Sequence, residues 1–342
     1  MNSEAIIFVR PETVRLGQVS LPDPAPSDLL VETLASGVSV GTERWALLGK
    51  RNEIRFPNVP GYMAAGRVLE TGSAAAARGY RNGDLVYYFA SKLAGEFDGA
   101  SWMSSHLSHA VVDVCNGVDF DRESLDVHRC EHIPAGADPR SVVLAGLGAV
   151  ALRGIEMAGI PAGAKVLVAG LGIIGQFAAQ ICRLKGAEVA VTDRVASRLE
   201  VAADNGADQV IDAAAGPENL AVRSRQIAPS GYDIIIDTTS SVAVVNSLFP
   251  LLRLRGKFVF QGWYPPPSPL DLNALHQRLP TCYSPCAHSG PAVKSVMQWI
   301  ADGHIRTDNL ITHAARPDQA PEIYKMIAAG SENFLGVRFD WS

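Results

Sequence analysis

Three glycines spaced as G-x-G-x-x-G are the residues of this sequence whose spacing points most directly to chemistry. Gly170, Gly172 and Gly175 stand between an apolar, strand-like run at 165–170 and a helix-like segment at 174–185. At this spacing the first glycine permits a tight turn, the second lets the backbone approach a pyrophosphate, and the third allows close packing of the helix. The helix N-terminus adds N–H groups and a positive dipole end. The pattern predicts a binding site for the phosphates of a dinucleotide.

An acidic residue ends the next strand-like run and indicates which dinucleotide is bound. Asp193 closes the run at 188–193, where its carboxylate can accept hydrogen bonds from the ribose hydroxyls of an adenosine. Its charge would repel a 2'-phosphate, so NAD is favoured over NADP. Arg194 and Arg198 lie close enough in sequence to weaken that preference.

The segments around these residues predict an α/β fold with a doubly wound parallel Rossmann sheet and a second, β-rich domain. From about residue 144, helix-like segments alternate with apolar strand-like runs, which is typical of a parallel sheet. Before residue 143 the segments are short and β-rich, with Gly and Pro turns and no dominant helix-sized amphipathic pattern. We predict a nucleotide-binding domain at 144–275 and a substrate domain at 1–143 completed by 276–342. The predicted strands of the parallel sheet are 165–170, 188–193, 209–211, 233–237 and 257–261.

Composition excludes several function classes. The 342 residues contain 30 Lys and Arg against 35 Asp and Glu, a formal charge of -5 without long single-sign blocks. Such a chain is a poor partner for nucleic acid or for an anionic membrane. We expect no secretion signal, no membrane span and a cytoplasmic protein acting on a small molecule. Five cysteines in so long a chain fit a reducing compartment better than a disulfide framework.

Motifs along nearly the whole chain resemble those of the medium-chain dehydrogenase/reductase family. They are the glycine fingerprint, Val59-Pro60-Gly61-Tyr62, Gly66-Arg67-Val68, Gly83-Asp84-Leu85-Val86, the run 233–239, Gly256-Lys257 with Gly262, and Leu310-Ile311-Thr312-His313. The segments 36–44, Gly262-Trp263-Tyr264-Pro265 and Phe339-Asp340-Trp341 resemble more closely the bacteriochlorophyllide 3-hydroxyethyl dehydrogenase branch, which oxidises a secondary alcohol on a chlorin ring to an acetyl group. The resemblance implies a GroES-like substrate domain made of the N-terminal part and the tail, an active cleft between the domains, and a homodimer or homotetramer.

The same resemblance shows where a catalytic zinc would be expected. Zinc-dependent relatives carry a Cys, a His and a third Cys or Glu at places that fall here on Ser39-Val40, on Tyr62 and within 144–150. Neutral Ser, Tyr and Gly are poor substitutes for thiolate, imidazole or carboxylate donors, so no metal is predicted. Cys282-x3-Cys286-x-His288, His106-x2-His109 and His128-x-Cys130-x-His132 lack the partners and spacing of a standard metal site.

Three residues are the candidates for catalysis without a metal. The resemblance implies that Thr42 relays a proton between substrate and cofactor ribose. Tyr62, at the place of the lost histidine, can act as general acid or hydrogen-bond donor to a carbonyl oxygen. Glu43 is either a base or a group that orients its neighbours. The alternative for Tyr62 is that its ring only fills the space left by the metal.

The fingerprint and the resemblance together predict the cofactor-binding residues. They are Gly170, Gly172, Ile173, Ile174, Gly175, Asp193, Arg194, Arg198, Thr238, Gly262 and Tyr264. Trp45, Trp263 and Tyr264 would form either an aromatic rim for a flat or bulky substrate or part of a packed interface.

The function predicted is that of a zinc-independent, NAD(H)-dependent oxidoreductase interconverting a secondary alcohol and a ketone. A zinc-free enoyl or quinone reductase and a non-catalytic dinucleotide-binding protein are the alternatives. The first alternative needs no alcohol activation but usually takes NADPH, which Asp193 disfavours. The substrate stays open among a tetrapyrrole alcohol such as the 3-hydroxyethyl group of a chlorin, a sugar or cyclitol hydroxyl, and a small ketone.

Overall fold

The computed structural model describes residues 1–51, 53–98, 103–115, 130–264, 266–287, 289–331 and 334–341. The chain forms two units, one of Met1–Gly146, Ser289–Gly303 and Ile311–Ser342, and one of Leu147–His288 and His304–Leu310. The second unit extends beyond the predicted boundary at 275, because the chain adds one more strand to the parallel sheet after that residue.

The strands and helices of the described residues are numbered in chain order. The strands are β1 Asn2–Arg10, β2 Thr13–Ser20, β3 Asp28–Gly37, β4 Ala64–Thr71, β5 Leu85–Tyr88, β6 His109–Asp113, β7 Cys130–His132, β8 Lys165–Ala169, β9 Glu188–Asp193, β10 Gln209–Asp212, β11 Tyr232–Asp237, β12 Leu252–Phe260, β13 Thr281–Tyr283, β14 Ile311–Ala315 and β15 Gly336–Asp340. The helices are α1 Val40–Leu47, α2 Ser73–Ala77, α3 Pro139–Val142, α4 Ala145–Ala158, α5 Ile173–Leu184, α6 Ala196–Asp204, α7 Pro217–Ile227, α8 Val242–Leu248, α9 Leu272–His276, α10 Gly290–Ala301 and α11 Ala320–Ala329.

The second unit is built on a six-stranded parallel sheet. Its strand order is β10-β9-β8-β11-β12-β13, and helices connect the successive strands as in a doubly wound fold. The central strands β8 and β11 are buried along almost their whole length, which explains why they are continuous apolar runs rather than alternating ones. The predicted Rossmann sheet is therefore confirmed, with the short strand β13 as an addition at its edge.

The first unit contains a seven-stranded, mixed sheet and a separate β1-β2 hairpin. The sheet order is β14-β15-β3-β4-β5-β7, with β6 paired to β3. A buried cluster joins β1, α1, α11 and β15 through Phe8, Leu47, Tyr324 and Phe339. The C-terminal segment thus packs against the start of the chain within one hydrophobic core.

Helix α1 was not predicted, although it carries two of the candidate catalytic residues. It has only eight residues, and the side chain of its N-cap residue, Ser39, forms no capping hydrogen bond. Its first turn is held instead by the Glu43 carboxylate, which accepts a hydrogen bond from the Ser39 N–H at 2.8 Å, and by tertiary packing. So short a helix depends on packing more than on propensity, and it leaves no strong periodic signal. Among the described residues, no helix combines the length and the apolar character needed to cross a bilayer.

Candidate functional site

The glycine turn after β8 is tightly packed on its inner side and open at its middle glycine. Gly170 has a φ of +86°, and its carbonyl accepts a hydrogen bond from the Thr238 hydroxyl at 2.9 Å. A Cβ on Gly175 would lie 1.9 Å from the Gly170 carbonyl oxygen, whereas a Cβ on Gly172 would have no atom within 4 Å. Because α5 starts at Ile173, its first N–H groups border this open space. The turn has the form that a pyrophosphate requires.

Asp193 holds the glycine turn and the next loop together. One carboxylate oxygen accepts a hydrogen bond from the Leu171 N–H at 2.6 Å, and the other accepts one from the Val195 N–H at 2.9 Å. A carboxylate oxygen can accept more than one hydrogen bond, so each retains capacity for a ribose hydroxyl. Arg194 is exposed and Arg198 is partly buried in the segment that follows.

The remaining predicted cofactor residues lie after β11 and β12, at the same carboxyl edge of the sheet. Thr238 packs on Gly170, and a Cβ on Gly262 would lie 2.9 Å from the Ser240 backbone nitrogen. The Tyr264 hydroxyl donates to the Asp237 carboxylate at 2.5 Å. Burial raises the pKa of Asp237, although the hydrogen bond from Tyr264 opposes the shift. The Tyr264 phenol is therefore engaged within the protein. The adjoining Trp263 is 47% exposed, and Pro265 lies outside the described residues.

A pair of glycine variants separates cofactor binding from folding. In Gly172→Ala the new methyl group meets no protein atom, so the unfolding midpoint should stay unchanged while the methyl group fills the pyrophosphate space. We expect the Kd for NADH to rise at least about tenfold, which corresponds to about 1.4 kcal/mol. Fluorescence titration and thermal unfolding measure the two quantities.

The contrasting variant is Gly175→Ala. Its methyl group collides with the Gly170 backbone, so both the unfolding midpoint and NADH affinity should fall. If Gly172→Ala bound NADH as tightly as the wild type, the turn would not be the phosphate site.

Three side-chain hydroxyls form a second group of candidate residues in the first unit, which we call the hydroxyl cluster: Ser39, Thr42 and Tyr62. The Tyr62 hydroxyl donates to the Ser39 Oγ at 2.7 Å. Burial raises the pKa of Tyr62 above its ordinary value of 10, and hydrogen bonds with Ser39 and Thr42 reduce that shift. The phenol therefore keeps its proton at neutral pH. Ser39 and Tyr62 are buried, whereas Thr42 is partly exposed and connects the cluster to solvent.

Glu43 lies beneath this cluster and is enclosed by donors. Its side chain is buried, and one carboxylate oxygen accepts the hydrogen bond from the Ser39 N–H. The other oxygen is 3.1 Å from His106 Nε2 and accepts a hydrogen bond from the Tyr324 hydroxyl. With both oxygens bonded to the protein, the geometry favours the orienting role for Glu43 over the role of base.

His106 extends the contacts of Glu43 to the C-terminal segment. Its Nδ1 lies 2.7 Å from the Ser36 Oγ, and the Trp341 Nε1–H donates a hydrogen bond to the same oxygen at 2.9 Å. The rings of His106 and Phe339 pack edge to face, with centroids 5.5 Å apart. The spacing around His106 predicts no metal site and gives no indication of these contacts. These contacts form the Glu43 network, whose members are Ser36, Glu43, His106, Tyr324 and Trp341.

The residues at the expected zinc-ligand places do not fit a zinc ion. Ser39 and Tyr62 lie together, but they are neutral hydroxyls that hydrogen-bond each other. The segment 144–150 contains only apolar residues and glycines. A tetrahedral zinc site needs thiolate, imidazole or carboxylate donors, and the nearby Glu43 carboxylate is already bonded.

The other segments considered as metal sites give no donor set in the described part of the chain. No group of three or more His, Cys, Asp or Glu side chains that could hold a metal ion occurs there. Cys282 and Cys286 are exposed free thiols. His128 and His288 lie outside the described residues.

Comparison with known proteins agrees with this fold. Residues 174–302 match the family model described as zinc-binding dehydrogenase. The chain is 27% identical to the 2-desacetyl-2-hydroxyethyl bacteriochlorophyllide A dehydrogenase of Cereibacter sphaeroides, over all of this chain and 99% of that protein.

Solved structures are also similar to this chain over nearly its whole length. A dehydrogenase from Sinorhizobium meliloti 1021, bound to NADP, is 22% identical with a TM-score of 0.82. An alcohol dehydrogenase from Escherichia coli CFT073, complexed with NADH, is 19% identical with a TM-score of 0.81. In each comparison 99% of both chains is covered. The chain is therefore similar to zinc-binding dehydrogenases over residues 174–302 and to a bacteriochlorophyllide dehydrogenase over its whole length.

Proposed function

We propose that the protein is a zinc-independent, NAD(H)-dependent oxidoreductase that interconverts a secondary alcohol and a ketone. The observation that carries this proposal is the hydrogen bond from Tyr62 to Ser39. These two residues stand at the positions where zinc-dependent relatives are expected to carry metal ligands. A protonated phenol at that point can polarise a carbonyl oxygen by hydrogen bonding, which is the task that the metal otherwise performs.

The cofactor proposed is NAD(H), held by the glycine turn and Asp193. Gly172 leaves space for a pyrophosphate, and Asp193 has acceptor capacity for ribose hydroxyls beside it. A bound nicotinamide supplies the hydride in ketone reduction and accepts it in alcohol oxidation. Among similar structures one contains NADP and another NADH, so the preference for NADH rests on the charge of Asp193.

The hydroxyl cluster supports the following chemistry. In ketone reduction the Tyr62 phenol donates a hydrogen bond to the carbonyl oxygen and then its proton to the developing alkoxide. Ser39 orients the phenol by accepting its hydrogen bond until a substrate oxygen replaces it as acceptor. Thr42, which is partly exposed, returns a proton to Tyr62 from solvent. In alcohol oxidation the proton leaves by the same groups in reverse.

Glu43 supports this cluster without meeting the substrate. Its carboxylate fixes the Ser39 backbone, and His106 and Tyr324 fix the carboxylate in turn. A rigid support of this kind keeps the Ser39 and Tyr62 hydroxyls in one geometry, so little reorganisation is needed during the reaction.

The substrate proposed first is a secondary alcohol attached to a large ring, such as the hydroxyethyl group of a chlorin. A relative that is 27% identical over the full chain is named for that substrate. Sugar alcohols and small ketones are the competing classes, because another relative, 26% identical over 90% of the chain, is an L-galactonate-5-dehydrogenase from Escherichia coli.

The experiment that tests the proposal combines a metal assay with cofactor titration and turnover. Elemental analysis of the purified protein gives its zinc content, and energy transfer from the five tryptophans reports NADH and NADPH binding. Secondary alcohols and their ketones, chlorin-linked ones included, are then screened with and without a chelator. We expect metal-free protein, tighter binding of NADH than of NADPH, and turnover that the chelator leaves unchanged.

Each contrary result has a defined meaning. Stoichiometric zinc whose removal abolishes turnover would refute zinc independence. Preference for NADPH with reduction of activated double bonds would favour an enoyl or quinone reductase. Binding of NADH without turnover of any substrate would favour a non-catalytic dinucleotide-binding protein.

A further inference from the structure

Strand β5 carries two adjacent tyrosines with different hydrogen-bonding states. Successive side chains of a strand point to opposite faces, so Tyr87 and Tyr88 lie on opposite sides of the sheet. The Tyr88 hydroxyl is 2.7 Å from the Thr33 hydroxyl, so it is satisfied. The Tyr87 side chain is 3% exposed, and its hydroxyl has no hydrogen-bond partner within the described residues. A buried polar group without a partner is uncommon and needs an explanation.

The end of the Tyr87 side chain reaches the first turn of α4. A Cβ on Gly146 would lie 2.4 Å from the Tyr87 hydroxyl oxygen and 3.2 Å from the side chain of Met63. Any side chain at position 146 would therefore displace the phenol. The Gly146 amide opposes the rise in the pKa of Tyr87, but its geometry is not that of a hydrogen bond. An N–H group could serve only as a donor here, so the phenolic proton of Tyr87 would still have no acceptor.

Tyr87 lies close to the segment that carries Tyr62, because a Cβ on Gly146 would contact both the Tyr87 hydroxyl and the side chain of Met63, the residue after Tyr62. Burial, reinforced by the neighbouring Tyr62 phenol, raises the pKa of Tyr87. The Tyr62 ring packs on Phe89, with ring centroids 5.6 Å apart. Phe89 follows Tyr87 by two positions, just past the end of β5, and Ala65 of β4 pairs with Tyr87. A second protonated phenol thus lies next to the hydroxyl cluster.

We propose that Tyr87 is a further catalytic residue, whose hydroxyl donates a second hydrogen bond to the substrate oxygen beside the bond from Tyr62. This inference rests on the proposed function and assigns the ligand as a carbonyl or hydroxyl oxygen of the substrate. Such an oxygen has two lone pairs and can accept from both phenols at once. Two fixed donors stabilise negative charge that develops on the oxygen, in the manner of an oxyanion hole. The Tyr87 proton then gains the acceptor that it lacks in the free protein.

The test compares Tyr87→Phe with Tyr88→Phe, which are matched changes on the two faces of one strand. In Tyr87→Phe an unsatisfied hydroxyl is removed, so the unfolding midpoint should stay the same or rise. The Kd for NADH should not change, and kcat/KM for the ketone should fall by about 100-fold. In Tyr88→Phe the Thr33 hydroxyl loses its partner, so the midpoint should fall while kcat/KM per folded molecule stays unchanged.

The outcomes separate this role from the proposed function. If the wild type reduces the ketone and Tyr87→Phe does so with the same kcat/KM, the role of Tyr87 is refuted but the proposed function is not. Loss of stability or of NADH binding in Tyr87→Phe would mean that the residue is structural, which also refutes it. A wild-type protein that binds NADH but reduces no ketone would overturn both the proposed function and this inference.

Discussion

Replacing Tyr62 by phenylalanine should lower kcat for ketone reduction by about 100-fold or more, which is the usual contribution of a general acid. The Kd for NADH should not change, because Tyr62 and the glycine turn lie in different units of the chain. Steady-state kinetics and fluorescence titration on the same preparation measure both quantities. In the wild type, burial raises the pKa of the phenol, so the loss of kcat that follows its deprotonation should begin at a higher pH than for an ordinary tyrosine.

The Tyr88→Phe variant is the control for this experiment, since it removes a buried phenol outside the hydroxyl cluster. Unchanged turnover in Tyr62→Phe would remove Tyr62 from the mechanism. It would support the alternative that the ring fills space, which a phenylalanine ring would do equally well.

Among the substitutions proposed for this protein, removal of the Glu43 carboxylate should cause the largest loss of stability. Glu43→Ala leaves the Ser39 N–H, the Tyr324 hydroxyl and the His106 ring nitrogen without their buried partner. Each unsatisfied group costs about 1–3 kcal/mol, so we expect the free energy of unfolding to fall by at least about 3 kcal/mol. Urea denaturation followed by fluorescence gives this quantity, with a constant m-value as the check on two-state unfolding.

The matched control is Glu188→Ala, which removes an exposed carboxylate. Glu188 lies 2.9 Å from Lys165 with 60% of its side chain exposed, so its loss should cost less than about 1 kcal/mol. Equal losses for the two variants would show that the Glu43 network contributes no more than a surface ion pair.

The parallel sheet could be predicted from sequence because its signals are local. Each of the five predicted strands is a short apolar run, and the glycine turn lies between a strand and a helix that are adjacent in sequence. β13 was not predicted, since it has three residues, none of them fully buried. α1 was not predicted because it is short and depends on contacts with distant segments.

The support of the candidate site could not be predicted, since it depends on side-chain contacts between segments that are far apart in the sequence. Glu43 lies 63 residues from His106 and 281 from Tyr324, and no spacing pattern connects residues so far apart. The resemblance pointed to Thr42, Glu43 and Tyr62 because they stand within motifs. Tyr87 comes directly after the motif Gly83-Asp84-Leu85-Val86 and is not part of it. It differs from Tyr88 in that its hydroxyl has no hydrogen-bond partner within the described residues.

The position of Tyr324 and Trp341 in the chain has a consequence for biosynthesis. Both residues belong to the Glu43 network, and both lie in the last segment of the sequence. When the ribosome has made β1 to β7, Glu43 and His106 have been synthesised, but Tyr324 and Trp341 have not. Most of the second unit, Leu147–His288, is synthesised before the final strands of the first unit, and domains generally fold as units. The Glu43 network can therefore form only after α11 and β15 have been synthesised and β15 has paired with β3.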